Sequence, residues 1–267
     1  MTYKILCSDL DGTLLTTKSD VSNFTISQIE RVKERMQIIL VSARMPKAMH
    51  YIQQDLGVLH EPIICYNGAL ILHGDKELKS TVIPALCIEN IHKIAEQHNI
   101  KLGLYYKDEW YAEIDSERIQ KEKVHTKVEP VFKNTTETIL DWKLRKIGAH
   151  KIMLMGTKNT ADIAYKKLEE SFSEEINIYR SNDTLIEVSP KSVSKLSAII
   201  YLIKDKYTLD DIISFGDNYN DIDMLQNTGC GVAVGNAREE AKRISNYVTL
   251  KNTEDGVAHY VKENLFN

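Results

Sequence analysis

The sequence predicts an α/β fold in which a parallel-sheet core is interrupted by an inserted α+β domain. Three observations predict it. Over residues 1–82 and again over 188–267, short apolar runs of strand length alternate with stretches that carry one apolar helix face, the rhythm of parallel βα units. Between them, 83–187 breaks that rhythm with strands paired as in hairpins. With only 12 Gly and 5 Pro among 267 residues, little of the chain suits long irregular segments.

The elements follow in order. Tyr3 to Ser8 is a short, largely apolar strand that ends at Asp9. From Ile26 to Met36, apolar residues at 26, 29, 32 and 36 mark one helix face. Gln37 to Val41 is a strand of the buried type, ending at Ser42. Pro46 then suits the first turn of a helix that carries Met49, Ile52 and Leu56 and stops at Gly57. Pro62 to Cys65 is a third strand, running out into Asn67-Gly68. In the inserted stretch, Ala85 to His98 is helical and Lys101 to Ile114 is an aromatic hairpin turning at Lys107-Asp108-Glu109. Lys151 to Met155 is a strand, Thr160 to Phe172 a helix capped by Asn159, and Ile176 to Arg180 pairs with Thr184 to Val188. After Pro190 the core resumes. It has helix Val193 to Lys204, strand Asp211 to Phe215 ending at Gly216-Asp217, helix Ile222 to Gln226, strand Gly231 to Val234 and a last helix from Asp255 to Leu265.

Composition narrows the function. There are 34 basic and 38 acidic residues, a net charge of −4, which speaks against a nucleic-acid partner but suits a small phosphorylated metabolite held by local charge. Cys7, Cys65, Cys87 and Cys230 form no CxxC pair, which argues against a cysteine zinc site and for a reducing compartment. No apolar run approaches the roughly 20 residues of a membrane span. The first residues lead into a strand without a charged-then-apolar leader, so a cytoplasmic, soluble protein with no membrane partner is expected. Gly229, Gly231 and Gly235 miss the GxGxxG spacing, and Leu14 and Ile222 stand where an EF-hand needs glycine. GxxxxGK[ST], HExxH and GxSxG are absent, and His50, His92 and His98 read as helix-face residues.

Chemistry gathers at three strand ends: Asp9-Leu10-Asp11-Gly12-Thr13, Ser42-Ala43-Arg44, and Gly216-Asp217 with Asn220-Asp221. Ligands of open α/β sheets bind outside the carboxyl ends of the strands, so parallel neighbours would bring all three sets into one crevice. Asp9 and Asp11, two residues apart, can face the same side, and their repulsion asks for a cation. With Asp217 and Asp221, four carboxylates suit an oxygen-ligated divalent ion such as Mg²⁺, which often accompanies phosphate. One carboxylate can act as a nucleophile toward phosphorus, and a second can move protons. Ser42 and the Ala43 N–H can bind phosphoryl oxygens ahead of the Pro46 helix. Each cluster alone also reads as an ordinary turn or helix cap.

Asp9-Leu10-Asp11-Gly12-Thr13-Leu14-Leu15 resembles the first motif of the haloacid dehalogenase superfamily of phosphatases. In matching order, Ser42 resembles the second motif, Lys195 the third, and Gly216-Asp217-Asn218-Tyr219-Asn220-Asp221 the fourth. The insert, with Asn67-Gly68-Ala69 and Gly235-Asn236-Ala237, is similar to the Cof-type branch with a large α/β cap. The chain departs from that branch at Ser42-Ala43-Arg44, where Thr-Gly-Arg is usual, and at Ser192 and Leu196, where glycines flank the lysine.

The resemblance implies a Rossmann-like core at 1–82 and 188–267 with a cap at 83–187. It implies Asp9 as nucleophile and metal ligand, Asp11 as acid/base whose carbonyl also touches the metal, and Asp217 as third ligand. Leu10, Ser42, Ala43, Lys195 and Asn220 would hold the phosphoryl group, and Asp221 would support the metal or Lys195. Arg44, Asn67, Tyr105, Tyr106, Trp110 and Arg180 are candidate substrate contacts. The activity implied is Mg²⁺-dependent hydrolysis of a small phosphomonoester, a sugar phosphate above all, through an aspartyl-phosphate. A phosphomutase or phosphotransferase shares the same residues, and a non-catalytic phosphometabolite-binding regulator is the reading from another class.

Overall fold

The computed structural model describes residues 3–16 and 20–265. It divides into two compact units, one of them Lys79–Val193 and the other formed by the chain on either side of it.

The first unit opens with β1 (Ile5–Ser8), every residue of which is buried. The chain then makes a wide turn over Leu10–Leu14, closed by the Leu15 N–H donating to the Leu10 carbonyl at 3.0 Å. The first helix, α1 (Asn23–Val32), starts and ends earlier than its apolar spacing suggests. Ser22 caps it, its hydroxyl accepting from the Thr25 N–H at 2.9 Å. β2 (Gln37–Val41) leads to α2 (Lys47–Leu56), which stops where Gly57 takes a left-handed φ of 68°. β3 (Pro62–Cys65) turns back as β4 (Leu70–His73), and β5 (Lys76–Ser80) follows. The sequence gives no sign of β5, because an edge strand of Lys-Glu-Leu-Lys-Ser carries no apolar run.

The second unit is a six-stranded sheet with three helices packed on one face. Its elements are α3 (Ala85–Gln97), β6 (Lys101–Tyr106), β7 (Glu109–Ala112), α4 (Glu117–Thr126), β8 (Val131–Phe132), α5 (Thr135–Arg145), β9 (Lys151–Met155), α6 (Lys158–Phe172), β10 (Ile176–Asn182) and β11 (Leu185–Pro190). Strand alternation sends Leu102, Leu104, Ile152, Leu154, Ile186 and Val188 toward α3, α5 and α6, where they meet Ile91, Trp142 and Leu168. Two helices lie outside the sequence expectation. The inward residues of α4 are Ile119, Glu122 and Thr126, and half of those of α5 are threonines, so neither shows an apolar stripe. The cap of α6 is Thr157, reciprocally bonded to Thr160, in place of Asn159. The unit extends to Val193 because β11 runs as far as Pro190.

His150 is a fully buried polar group of this unit. The Lys107 N–H donates to its Nδ1 at 3.1 Å, which places the ring proton on Nε2, 2.9 Å from Ser80 Oγ. Burial, aided by the Lys107 charge, pushes its pKa down to about 3. The unfolded chain therefore takes up a proton near pH 6.5 that the folded chain refuses until about pH 3. The stabilisation from this mismatch is complete above pH 6.5 and is lost as pH falls toward 3, on the order of 4 kcal/mol in all. His150→Gln is expected to flatten the decline in urea-unfolding free energy between pH 7 and pH 4; parallel declines in both proteins would refute this assignment.

The chain returns to the first unit with α7 (Lys195–Ile203), β12 (Ile212–Gly216), α8 (Ile222–Asn227), β13 (Cys230–Ala233), α9 (Glu239–Ile244), β14 (Tyr247–Val248) and α10 (Gly256–Asn264). The sheet order is β14-β13-β12-β1-β2-β3-β4-β5, parallel from β14 through β3. Its central strands are apolar on both faces, as a sheet covered on both sides requires, and Ile5, Cys7, Ile39, Val41 and Ile212 pack with Ile199 and Ile203 of α7. All four cysteines are buried, and none is in a disulfide. Among the described residues, no helix is long and apolar enough to cross a membrane.

Candidate active site

Asp9, Ser42 and Asp217 are each the first residue past a strand, and those strands are neighbours. Ser8 of β1 is level with Phe215 of β12 on one side and Leu40 of β2 on the other. Parallel pairing therefore delivers all three residues to one carboxyl edge of the sheet.

Lys195 is fully buried at the start of α7. Its Nζ donates to Asp9 Oδ1 at 2.5 Å and to Asp221 Oδ1 at 2.6 Å. Ser194 caps the helix through reciprocal bonds with Ser197, which fixes where Lys195 begins. Gly68 lets the chain after β3 lie against that cap, since a Cβ there would stand 2.4 Å from the Ser194 carbonyl oxygen. Ser192 and Leu196 thus do not turn the lysine away from the acids.

Asp221 spends its carboxylate inside the protein. Oδ1 accepts from Lys195, and Oδ2 accepts from the Asp217 and Asn218 N–H groups, both at 3.0 Å. It fixes the loop that carries Asp217. Asp217 accepts from Thr13 Oγ at 3.0 Å, and Gly12, with φ 85°, leaves room for it: a Cβ at Gly12 would lie 2.7 Å from Asp217 Oδ2. The Asn236 amide donates to the Gly12 carbonyl at 2.8 Å and braces the same turn.

Oxygens of Asp9, Asp217 and Asp221 lie within 4.8 Å of one another. Burial pushes the Asp9 carboxyl well above the usual carboxylate range; Lys195 opposes the shift, while Asp221 and Asp217 add to it. Burial, then the Asp221 charge, raises Asp217 to about 6. For Lys195, burial acts to lower the pKa, but Asp221 and Asp9 outweigh it and hold the ammonium charged. One cation among three carboxylates, two buried and one half-buried, leaves a deficit of positive charge. An all-oxygen donor set with that deficit fits a divalent metal ion, and since Asp221 is saturated, Asp9 and Asp217 are the side chains that could hold it.

The Asp11 carboxylate takes another course. Both of its oxygens accept from Arg44, Nε to Oδ2 and Nη2 to Oδ1, each at 2.7 Å. The pair takes up the Arg44 guanidinium, which the sequence left open as a substrate contact, and leaves Asp11 the backbone carbonyl expected to face a metal. Asp11 is outside the carboxylate cluster, so only its backbone carbonyl could serve a metal, and Arg44 is committed to Asp11 rather than to a ligand. Ser42 is buried, accepts from the Arg44 N–H at 3.2 Å and keeps its own proton to donate. Ala43, half-buried, lies between them in the same loop, and Leu10 opens the turn with its side chain wholly buried. The Asn220 amide donates to Asn67 Oδ1 at 3.0 Å, which ties Asn67, a left-handed residue at φ 55°, to the β12 loop.

The remaining four candidates are used in packing within the second unit. Tyr105 and Trp110 are buried and stack at 5.5 Å, and the Tyr105 hydroxyl donates to Met153 Sδ at 3.0 Å. Tyr106 stacks on His150 at 5.2 Å. Arg180 pairs with Asp162 at 2.9 Å and donates to the Asn182 and Asp183 carbonyls, holding its own hairpin. The sequence placed these aromatics on a hairpin without saying which face each strand buries. It also missed Thr13, which donates to Asp217 from a turn far away in sequence, and Tyr51 of α2, whose hydroxyl accepts from Arg44 seven residues before it.

A family model described as haloacid dehalogenase-like hydrolase matches residues 6–261. The chain is 28% identical to the 5-amino-6-(5-phospho-D-ribitylamino)uracil phosphatase of Bacillus subtilis, over 97% of this chain and 96% of that one. It is 26% identical to the pyridoxal phosphate phosphatase of Escherichia coli, over 99% of this chain and all of that one. Its fold matches the crystal structure of a haloacid dehalogenase-like hydrolase from Bacteroides thetaiotaomicron with a TM-score of 0.88 at 26% identity, over 98% of this chain and 99% of that one. The acids gathered at the ends of β1 and β12, and a match that spans nearly every residue of the chain, lead to one assignment: the chain belongs to the haloacid dehalogenase-like hydrolases.

Proposed function

We propose that this hydrolase is a Mg²⁺-dependent phosphatase that cleaves small phosphomonoesters, sugar phosphates among them, through an aspartyl-phosphate on Asp9. The observation that carries the reading is the Asp9–Lys195–Asp221 group beside Asp217, with Asp11 held two residues beyond Asp9. Both named relatives act on small phosphate esters, one of them an ester of a sugar alcohol, which supports the substrate class.

When bound by Asp9 and Asp217, Mg²⁺ supplies the missing positive charge and keeps Asp9 ionised. An Asp9 oxygen attacks phosphorus, the bond from phosphorus to the leaving oxygen breaks, and Asp11 gives that oxygen a proton. Water then attacks the phosphoryl group, its proton passes to Asp11, and free phosphate leaves as the Asp9 carboxylate is restored. Lys195, Ser42, Asn220 and the Leu10 and Ala43 N–H groups offset the phosphoryl charge throughout. We read Lys79–Val193 as the inserted cap domain.

Phosphate release from a panel of sugar phosphates, pyridoxal phosphate and an aryl phosphate tests the proposal, with Mg²⁺ and with chelator. Release that needs Mg²⁺, together with a phosphoryl adduct on the Asp9 peptide in an Asp11→Asn protein, is expected. Turnover unchanged by chelator would refute the metal requirement, and phosphoryl transfer to an added alcohol without free phosphate would mark a transferase.

A further inference from the structure

We propose that Arg44 is the positioning residue for proton transfer by Asp11, and that Tyr51 and the Ala48 carbonyl fix Arg44 for that task. The inference rests on the assignment of Asp11 as the acid/base.

Three features carry it. The guanidinium is buried, 4% exposed, yet its planar fork faces one small carboxylate through two bonds of 2.7 Å. Such a fork fixes the orientation of a carboxylate as well as its place. The third nitrogen is anchored from α2, Nη1 donating to Tyr51 Oη at 2.9 Å and to the Ala48 carbonyl at 3.2 Å. Arg44 is therefore held at both ends: by Asp11 at the turn after β1, and by α2 behind it. Finally, Asp11 lies in the turn after β1, and among the described residues Arg44 is the side chain that bonds both of its oxygens, while Asp9 and Asp217 have Lys195 and Thr13.

The arrangement has a chemical consequence. An Asp11 oxygen that carries the proton accepts its prong of the fork more weakly. The second prong keeps the carboxylate turned toward the same spot while the first oxygen works. Arg44 acts through Asp11 in this account, so its removal should weaken only the part of catalysis that depends on proton transfer.

That part can be read separately. A leaving group that departs readily as an anion, such as p-nitrophenolate, needs little protonation; an alkoxide needs it fully. General-acid assistance is worth roughly 10²–10⁴-fold where it is needed. kcat/KM, which reports the first phosphoryl transfer, is measured for p-nitrophenyl phosphate, phenyl phosphate and an alkyl phosphate. The proteins are wild type, Arg44→Ala, Arg44→Lys, Tyr51→Phe and Asp11→Asn.

We expect Arg44→Ala to lose less than about tenfold on p-nitrophenyl phosphate and roughly 10²-fold or more on the alkyl ester, following the steeper dependence of Asp11→Asn. Tyr51→Phe, which removes one anchor and no packing volume, should show the same trend at smaller size. Guanidinium chloride should restore alkyl-ester turnover in Arg44→Ala. Equal losses across the series in the Arg44 and Tyr51 variants, with Asp11→Asn still steep, would overturn the proposal and make Arg44 a phosphoryl-binding or purely structural group. A flat series in Asp11→Asn as well would overturn the acid/base assignment, and the proposal with it.

Discussion

Asp9→Asn is expected to lower phosphate release by on the order of 10⁴–10⁶-fold while leaving the fold intact. An amide has nearly the shape of the carboxylate but is no nucleophile toward phosphorus, and it offers a metal one oxygen instead of two. The stability side is equally specific. Burial holds the Asp9 carboxyl well above its ordinary range, with Asp221 and Asp217 adding to the shift, so without metal its ionisation opposes folding. A raised folded value gives stability that is present at low pH and lost as pH rises through that value. The neutral amide removes this loss, and Lys195 keeps its bond to Asp221 at 2.6 Å. In chelator near pH 7, the variant should therefore unfold at a urea concentration equal to or above that of wild type. Phosphate release within tenfold of wild type in Asp9→Asn would exclude Asp9 as the nucleophile. A marked drop in the urea midpoint would mean that the carboxylate supports the fold through Lys195 more than burial opposes it.

How much of this could be read from the sequence depended on whether a feature was local. Asp9, Ser42 and Asp217 end apolar runs, and a run of four to six apolar residues announces a strand without help from the rest of the chain. Gly57 announced the end of α2 for the same reason. The side-chain partners were not local. Asp11 and Arg44 lie in turns joined only after β1 and β2 pair, and both Arg44 oxygen bonds follow from that pairing. Lys195 stands on a helix whose apolar neighbours leave its direction open, and the deciding contact, Gly68 against Ser194, joins loops that the sequence separates by the whole second unit. In that unit the aromatic hairpin was visible but its buried face was not, since Tyr105 and Trp110 share one face, Tyr106 and Tyr111 the other, and aromatic residues line both. The polar helix α4 and the edge strand β5 bury too little apolar surface to mark themselves.

Lys195→Met carries the largest expected cost in stability. Methionine keeps much of the volume of the lysine but none of its charge, so Asp9 and Asp221 remain buried with no cation between them. Removing one partner of a buried ion pair costs about 3–5 kcal/mol, because the charge left behind stays desolvated. In chelator this should lower the melting temperature by on the order of 10 °C. The direction with pH follows from the carboxyls that remain. Asp9 and Asp217 already have raised values in the folded chain, the latter about 6, and loss of Lys195 takes away the charge that opposed the shift in each. Protonated carboxyls need no cation, so the deficit of Lys195→Met should be greatest above pH 7 and shrink as pH falls toward 5. Adding Asp221→Asn to Lys195→Met should recover part of the loss, since it removes one of the stranded charges, and the double variant measures the coupling directly. Urea unfolding of the single and double variants at pH 5 and pH 8 would decide it. Equal deficits at both pH values would mean that the lysine acts by packing alone. A deficit that fades at pH 5 would mean that the lysine supports the fold through its charge, which balances the buried carboxylates of Asp9 and Asp221.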